Sequence, residues 1–519
     1  MFVEPARRSL WIETTPDTHY PALEGDVEVD AVVVGAGITG VTTAWTLKRE
    51  GRRVALVEML RLGEGATGYT TAKLTVGHNM IYADLVKKHG KETARAYAAS
   101  NQWAIERLEE IVSGEEIECD WERTSNYVYT EDHARLPDLE DELEAAHRAG
   151  VSAELTTETD LPFPVLGAIR VEGQAQFHPR KFIQGLAEKI VGDGSHIFEH
   201  SRVEDVESGE ECAVLTEQGR VAAKHVVLAT HMPFVDRGLF FAKAHPQKSY
   251  AIAAKIEQSW APLSMYINAE QPTRSIRSTP GPSGSRFLVV GGEGHKPGRD
   301  DDTRRRYEAL ESFLRDRFEA GEVEHRWSTH DYVPVDGLPY IGRLRRSDER
   351  LLMATGFAKW GLTKAVVAAG IISDAIIGQD NPWSSVFDAN RLNVMRSARN
   401  FTTENAKVGF WFIGDRIRRR AGHDEINELE PGDGTVAWIG GRHLAVHRDD
   451  NGQLHAVSAR CTHLGCLVGW NRADRTWECP CHGSQFGADG TLLQGPATTP
   501  LQPHSLPESG FDANEKSST

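Results

Sequence analysis

The chain has 519 residues, with 58 lysines and arginines against 75 aspartates and glutamates, and a formal net charge of -17. This length is greater than one hydrophobic core supports, and a hydrophobic content of 40% with 48 glycines excludes a disordered, collagen-like or coiled-coil protein. The negative charge excludes nucleic acid as an expected partner, because a polyanion would be repelled.

The segment before residue 28 is predicted to be a polar N-terminal arm. Residues 1–20 contain acids and prolines but no apolar stretch after a basic cluster, so the sequence predicts no export signal and a cytoplasmic protein. The apolar run over 31–47 is too short for a membrane span, and glycines and threonines interrupt it.

The first predicted unit after the arm binds a dinucleotide. An apolar strand over 30–34 leads into GxGxxG, formed by Gly35, Gly37 and Gly40, and apolar residues at helical spacing follow. Such glycines allow a tight turn, a close approach to the pyrophosphate and packing of helix on strand. Glu58 ends the second predicted strand, where an acid can accept hydrogen bonds from the adenosine ribose. This fingerprint does not distinguish FAD from NAD.

Helices, a sheet and a linker are predicted further along the chain. The helices lie at 92–112 and 137–149, and strand-like runs alternate with turns over 246–295, which predicts a mixed sheet. The segment 383–430 is charged and aromatic, with a helix around 399–417. This helix is predicted to pack between domains, with peripheral contact to a membrane that holds a quinone as the alternative.

Four of the six cysteines lie between 461 and 481, which indicates one local cofactor site rather than a chain-wide disulfide framework. Cys461 and His463 form CxH, and Cys479 and His482 form CxxH. Two cysteines and two histidines are the ligands of a Rieske [2Fe-2S] cluster, in which thiolates bind one iron and imidazoles the other. They are equally the ligands of a structural zinc site. The ligand types alone leave both metals open.

The two cysteine-rich loops, CTHLGC and CPCHGS, resemble those of the Rieske family. The resemblance implies a [2Fe-2S] cluster on these four ligands and a disulfide between Cys466 and Cys481, which Rieske proteins of the respiratory type carry and ring-hydroxylating oxygenases lack. Ser484 matches a serine that hydrogen-bonds a cluster sulfide and so raises the potential. Phe486 stands where the highest-potential members have tyrosine, so we expect a potential below the respiratory maximum but above that of oxygenase clusters.

Three other segments resemble the D-amino-acid oxidase and glycine oxidase superfamily of FAD-dependent oxidoreductases, called the DAO family, over about 28–380. They are GATGYTTAKLTVG at 65–77, HVVLAT at 225–230 and ATGFAKWGLT at 354–363. The resemblance implies that the dinucleotide is FAD and that the last segment starts a helix whose amides point at the flavin ring. Together with the glycine motif, it assigns FAD binding to Gly35, Ala36, Gly37, Ile38, Gly40, Glu58, Thr67, Thr70, Thr71, Val203, Thr230, Gly356, Gly361, Leu362 and Thr363.

The predicted architecture is an α/β FAD-binding Rossmann-like domain with a mixed-sheet substrate domain, followed by a small all-β Rieske domain. The predicted boundaries are an arm at 1–27, a DAO unit at 28–382, a linker at 383–430, a Rieske domain at 431–508 and a flexible tail at 509–519. Within the DAO unit, the FAD part covers about 28–90, 165–240 and 330–382, and the substrate part covers about 91–164 and 241–329.

The predicted function is an FAD-dependent dehydrogenase that oxidises an amine or amino acid. Electrons pass singly from reduced flavin to the cluster and then to an unidentified one-electron acceptor, such as a ferredoxin, a cytochrome or a quinone. The alternatives are a 2-hydroxy acid or polyol dehydrogenase of the same architecture, and a redox sensor or electron-transfer module.

The sequence does not identify a catalytic residue. Lys73, Tyr250, Arg277 and Lys359 are the candidates, since a lysine can neutralise reduced flavin or a substrate carboxylate and an arginine can bind a carboxylate bidentately. His78 is a candidate for covalent attachment of the flavin, although a lone histidine is more often structural.

Overall fold

A computed structural model of the protein describes residues 8–235, 238–300, 302–391 and 423–506. The predicted linker helix around 399–417 and the predicted tail at 509–519 lie outside these residues.

A largely parallel sheet forms the first layer. Its strands run in the order Tyr340–Arg343, Leu351–Thr355, Gly219–Leu228, Gly25–Val34, Val54–Val57 and His196–Phe198, with the hairpin Val203–Glu207 and Cys212–Thr216 paired to Gly219–Leu228. The central strands are apolar and buried on both faces, as parallel strands covered by helices require. The helices Ile38–Arg49 and Gly361–Ile377 pack against each other beside this sheet.

A nine-stranded sheet forms the second layer. Its strands run in the order Val323–Pro334, Ala244–Ile256, Arg286–His295, Arg274–Pro280, Met265–Asn268, Glu122–Thr130, Gly167–Gln176 and Lys73–Leu74, and Glu154–Thr156 pairs with Gly167–Gln176. One pairing, between Met265–Asn268 and Glu122–Thr130, is parallel and the others are antiparallel. The predicted mixed sheet is therefore confirmed.

The remaining helices surround these sheets. Lys91–Gly114 and Leu136–Arg148 lie where the sequence predicts helices, and the former buries one face through residues such as Tyr97 and Leu108. The others are Leu10–Glu13, Tyr82–His89, Pro179–Glu188, Phe240–Lys243, Arg304–Arg317, Ser384–Phe387 and His423–Asn427, with 3-10 turns at Ala66–Tyr69, His133–Arg135 and Pro282–Gly284. None of the helices that the structure describes is long and apolar enough to cross a membrane.

The C-terminal domain consists of two four-stranded antiparallel sheets. One contains Gly434–Ile439, Arg442–Arg448, Leu454–Ser458 and Pro503–His504, and the other contains Gly469–Asn471, Thr476–Glu478, Gln485–Gly487 and Leu492–Gln494. The loops that carry the predicted metal ligands precede and follow strands of the second sheet.

The N-terminal arm differs from the polar segment that the sequence predicts. Leu10, Trp11 and Ile12 are buried, and the Trp11 indole donates to the Thr70 carbonyl at 2.7 Å. The arm therefore braces the turn at 66–70, one of the segments assigned to FAD.

Candidate active site and metal centre

A cavity of about 700 Å³ lies where the two layers and the C-terminal domain meet. Its lining includes Gly35 and Gly37 after the first strand, Tyr250 of the nine-stranded sheet, and Thr476 and Gln485 of the C-terminal domain. One chamber is thus shared by all three parts of the chain.

The glycine motif forms a cradle for phosphate groups. Gly35 has a φ of +100°, and a Cβ there would stand 2.7 Å from the Ala229 carbonyl oxygen. A Cβ at Gly40 would stand 1.8 Å from the Gly35 carbonyl oxygen, so only glycine lets the helix Ile38–Arg49 approach the loop. Gly37 is the N-cap of this helix, so no capping side chain covers the helix N-terminus, and the start of the helix faces the cavity. The residues present therefore fit a dinucleotide pyrophosphate at a helix N-terminus.

Glu58 lies beside this cradle and lines the cavity. Its Oε2 accepts a hydrogen bond from the Ala36 N–H at 2.7 Å and its Oε1 accepts one from the Leu60 N–H at 2.9 Å. Burial raises the pKa of Glu58, and these two bonds oppose the rise. The carboxylate is thus fixed at the end of the second strand, the position that the ribose contact requires.

Most residues assigned to FAD line the same cavity. These are Gly35, Gly37, Ile38, Glu58, Thr67, Thr70, Thr71, Val203, Thr230, Gly361 and Leu362. Four assigned residues do not line the cavity: Ala36, Gly40, Gly356 and Thr363. Gly40 packs the helix Ile38–Arg49 against the Gly35 loop, and the Thr363 hydroxyl donates to Asn101 Oδ1 at 2.7 Å. The assignment of individual residues to FAD, inside and outside the lining, stays a prediction.

The four catalytic candidates separate into two pairs. Tyr250 and Lys359 line the cavity, whereas Lys73 and Arg277 do not. Lys73 donates to the Tyr266 carbonyl, and Arg277 donates to the carbonyl groups of Ala72 and Phe177. Both buried side chains therefore bind backbone carbonyl groups, and neither lines the cavity.

Two cavity residues and one buried lysine were missed by the sequence analysis. His231 Nε2 donates to the His330 carbonyl at 3.0 Å, and the carboxylate of Asp331 accepts from the Lys359 N–H. Lys364 donates to the Phe357 carbonyl at 2.8 Å, and burial lowers its pKa to about 7. His231 and Lys364 directly follow the motifs HVVLAT and ATGFAKWGLT, so extending each motif by one residue would have found them.

His78 is enclosed rather than exposed to the cavity. Its Nδ1 lies 2.6 Å from the Tyr97 hydroxyl, and its ring stacks on Trp360 at a centroid distance of 4.7 Å. Burial lowers the pKa of His78 well below its ordinary value. Trp360, and not His78, lines the cavity.

The four predicted metal ligands converge in the C-terminal domain. The thiols of Cys461 and Cys479 are buried and within hydrogen-bonding reach of each other, and the rings of His463 and His482 lie 5.0 Å apart. Among the described residues, His482 Nδ1 is buried without a hydrogen-bond partner. Two thiols and two imidazoles that meet in one place fit a [2Fe-2S] cluster with two sulfur and two nitrogen ligands.

A disulfide joins the two ligand loops. It links Cys466 and Cys481, as the family resemblance implies. Hydrogen bonds from the Gly465 N–H to the Cys461 carbonyl and from the Gly483 N–H to the Cys479 carbonyl, both at 2.9 Å, close each loop on itself. The disulfide and these two hydrogen bonds therefore fix the backbone of both ligand loops.

Ser484 is fully buried, and its hydroxyl interacts with the Cys461 sulfur while accepting from the Ala497 N–H at 3.0 Å. We expect the Ser484→Ala variant to lower the cluster potential by about 60 mV, because a hydrogen bond to a charged group contributes ~1.5 kcal/mol and ~59 mV is a tenfold change for one electron. A redox titration followed by EPR measures this shift. The Thr491→Ala variant is the control, since the Thr491 hydroxyl donates to Asp489 on the same domain. Equal potentials for the two variants would contradict the role of Ser484.

The C-terminal domain is held to the nine-stranded sheet next to the cluster loops. The Tyr332 hydroxyl donates to the His482 carbonyl at 2.8 Å, and His330 Nε2 donates to the Gly483 carbonyl at 2.6 Å. The Phe241 ring packs edge-on against the ring of His482 at 5.1 Å. The metal centre therefore borders the sheet whose strands line the cavity.

A buried charged cluster holds the same interface together. Lys248 of the nine-stranded sheet is fully buried, and its Nζ contacts Glu478 and, at 2.8 Å, Asp474 of the C-terminal domain. Asn471 Nδ2 donates to Glu478 at 2.9 Å. At Gly469, a Cβ would stand 2.4 Å from the Gly298 carbonyl oxygen, so the two domains touch through backbone.

Comparison with known proteins agrees with both sites. The family model described as FAD dependent oxidoreductase (DAO) matches residues 30–375, and the model described as Rieske [2Fe-2S] domain matches residues 423–505. The chain is 34% identical to the putative Rieske 2Fe-2S iron-sulfur protein YhfW of Bacillus subtilis (strain 168), over 96% of this chain and 98% of that protein.

More distant relatives match one part of the chain. Gamma-glutamylputrescine oxidoreductase of Escherichia coli (strain K12) is 24% identical over 69% of this chain and 86% of its own length. The crystal structure of glycine oxidase from Geobacillus kaustophilus superimposes with a TM-score of 0.57 at 19% identity, over 70% of this chain and 99% of that chain. This second likeness concerns the fold alone.

Proposed function

Since the chain belongs to the DAO family of FAD-dependent oxidoreductases and ends in a Rieske [2Fe-2S] domain, we propose that it is a dehydrogenase of amines or amino acids. Its cofactors are FAD and the [2Fe-2S] cluster. Electrons from the substrate leave singly through the cluster to an external one-electron acceptor. One observation carries this proposal: the cavity that holds the FAD cradle is also lined by the Rieske domain.

The cofactors differ in the number of electrons that they carry: FAD takes two from a substrate, and the cluster takes one at a time. The chain's own residues bring the two sites together and enclose the reaction. Tyr250 and Trp327 are buried cavity residues, and the Trp327 indole donates to the Tyr69 carbonyl at 3.0 Å. Water is thus kept from this wall of the chamber.

Tyr250 is fixed from two sides. His295 Nδ1 donates to the Lys296 carbonyl at 2.9 Å, so its Nε2 accepts from the Tyr250 hydroxyl at 3.0 Å. Asn471 Nδ2 of the Rieske domain donates to the same hydroxyl at 3.3 Å. We assign Tyr250 a positioning role in this wall rather than a contact with the substrate, because its hydroxyl is already engaged and its ring packs between His295 and Tyr307.

The charges of the cavity favour a cationic amine over a simple amino acid. Asp331 lines the cavity, whereas the lining carboxylate of Asp474 is paired with Lys248 at 2.8 Å, and among the described lining residues Arg202 is the only arginine. Arg202 adjoins Val203, one of the residues assigned to FAD, so we place it with the nucleotide rather than with the substrate. A substrate carboxylate would have Lys359 as its partner. The name of one relative, gamma-glutamylputrescine oxidoreductase, gives an amine as the substrate class of that protein.

Anaerobic stopped-flow mixing tests this function. We expect an amine or amino acid to bleach the flavin absorbance first and the cluster absorbance second, because electrons enter at FAD. Reduction only by 2-hydroxy acids or polyols would support the alternative dehydrogenase. Reduction of the cluster before the flavin would contradict the proposed order. Full occupancy of both cofactors with no reduction by any of these compounds would favour a sensor.

A further inference from the structure

Two short contacts connect the wall of the FAD cavity with the loop that carries cluster ligand His482. The first runs through one residue, Tyr332, whose carbonyl accepts from the Ala358 N–H at 3.0 Å and whose hydroxyl donates to the His482 carbonyl at 2.8 Å. Ala358 lies in the flavin segment and lines the cavity.

The second contact runs beside the first. The His231 side chain, which lines the cavity next to Thr230, packs on the Tyr332 ring at a centroid distance of 4.8 Å and donates to the His330 carbonyl. The His330 side chain in turn donates to the carbonyl of Gly483. Tyr332 and His330 therefore both join cavity residues to the cluster loop.

The loop that carries His482 packs closely against the strand Val323–Pro334, which contains Tyr332 and His330. Gly483 has a φ of +77°, and a Cβ there would stand 2.9 Å from Pro246 Cβ and 3.1 Å from the Tyr332 hydroxyl oxygen. Tyr332 itself is fully buried. No described part of the chain separates the phenol from the loop, since the two are directly hydrogen-bonded.

We propose that Tyr332 is a positioning residue: it holds the loop of His482 against the flavin segment 354–363, so that electrons cross from the flavin site to the cluster at this contact. This inference rests on the proposed function. Each transfer moves one electron from reduced FAD to the oxidised cluster, where one ferric ion becomes ferrous. Two transfers, with the external acceptor reoxidising the cluster between them, return FAD to its oxidised form and release its protons to solvent.

The test uses the full protein with both cofactors and reduces the flavin by light with a sacrificial donor, so that no substrate is needed. In the Tyr332→Phe variant, the electron should reach the cluster several-fold more slowly after the flash than in the wild type. The cluster potential and EPR spectrum should stay unchanged, because the phenol bonds to the backbone carbonyl of His482 and to no ligand atom. Iron and FAD contents verify that the variant is folded.

The Tyr307→Phe variant is the matched control. The Tyr307 hydroxyl donates to Asp474 at 3.1 Å, so this variant also loses a buried tyrosine hydrogen bond across the domain interface, but one whose acceptor is not in either ligand loop. A wild-type rate in Tyr332→Phe, or equal slowing in both variants, would overturn the inference. Two other results would contradict the proposed function itself. If the cluster of the wild type stays oxidised after the flavin is photoreduced, electrons do not pass from the flavin to the cluster. If no amine or amino acid reduces the flavin, the proposed substrate class is wrong.

Discussion

Replacing Lys248 with methionine is expected to destabilise the docked Rieske domain by about 3–5 kcal/mol, the usual cost of leaving a buried charge without its partner. Burial by itself lowers the pKa of Lys248, but Asp474 and Glu478 outweigh it and raise the pKa above its ordinary value, so the ammonium group is charged. Methionine has a similar volume and would leave two buried carboxylates facing each other. Guanidinium titration followed by the visible circular dichroism of the cluster measures the loss.

The same strand offers a matched control for this variant. Lys255 pairs with Glu324 at 2.9 Å, with side chains 47% and 39% exposed, so Lys255→Met should cost no more than about 1 kcal/mol. Adding Asp474→Asn and Glu478→Gln to Lys248→Met should restore part of the stability, because the uncompensated charges are then removed. If Lys248→Met cost no more than Lys255→Met, the charged cluster would not be what holds the domains together.

Both cofactor sites could be predicted because their determinants are local in sequence. Gly35, Gly37 and Gly40 lie within six consecutive residues that span the loop and the start of the helix Ile38–Arg49, and the packing of Gly40 on Gly35 follows from this spacing. The cluster loops are likewise short, and the family resemblance implied the disulfide that the structure contains. Short loops with strict turn requirements can therefore be recognised from the sequence.

The contacts between the Rieske domain and the nine-stranded sheet cannot be recognised from the sequence in this way. Lys248 meets Glu478, and Tyr332 meets His482, across well over a hundred residues of chain. A tyrosine in a strand looks the same in sequence whether its hydroxyl faces solvent or a cluster ligand. The sequence therefore predicted two cofactors in one protein but not the contact between their sites.

The direction of long basic side chains is a second feature that the sequence leaves open. Arg277 and Lys73 were candidates because a lysine can neutralise reduced flavin or a substrate carboxylate and an arginine can bind a carboxylate bidentately. In the fold, a buried side-chain donor needs a hydrogen-bond acceptor, and Lys73 and Arg277 both find backbone carbonyl groups. Which way a buried lysine or arginine points depends on packing between distant strands, so residue type and position alone could not decide it.

The Gly40→Ala variant is expected to lose FAD while retaining its cluster. The added Cβ would stand 1.8 Å from the Gly35 carbonyl oxygen and 3.1 Å from its carbon, which are backbone atoms that cannot rotate away. The helix Ile38–Arg49 must then move off the loop that cradles the pyrophosphate. Since overpacking of this kind costs ~1–3 kcal/mol, we expect FAD affinity to fall by roughly 10- to 100-fold. Titration of the flavin-free protein with FAD, followed by flavin fluorescence, measures the change.

Gly114→Ala provides the comparison that separates crowding from a general effect of adding a methyl group. Gly114 also belongs to a helix, Lys91–Gly114, but a Cβ there would meet no atom within 4 Å. This variant should bind FAD as the wild type does and be no less stable, because alanine is the better helix former. The iron content should be unaffected in both variants, since the cluster loops belong to a separate domain. Loss of flavin in both variants, or in neither, would show that close packing of Gly40 on Gly35 does not determine FAD binding.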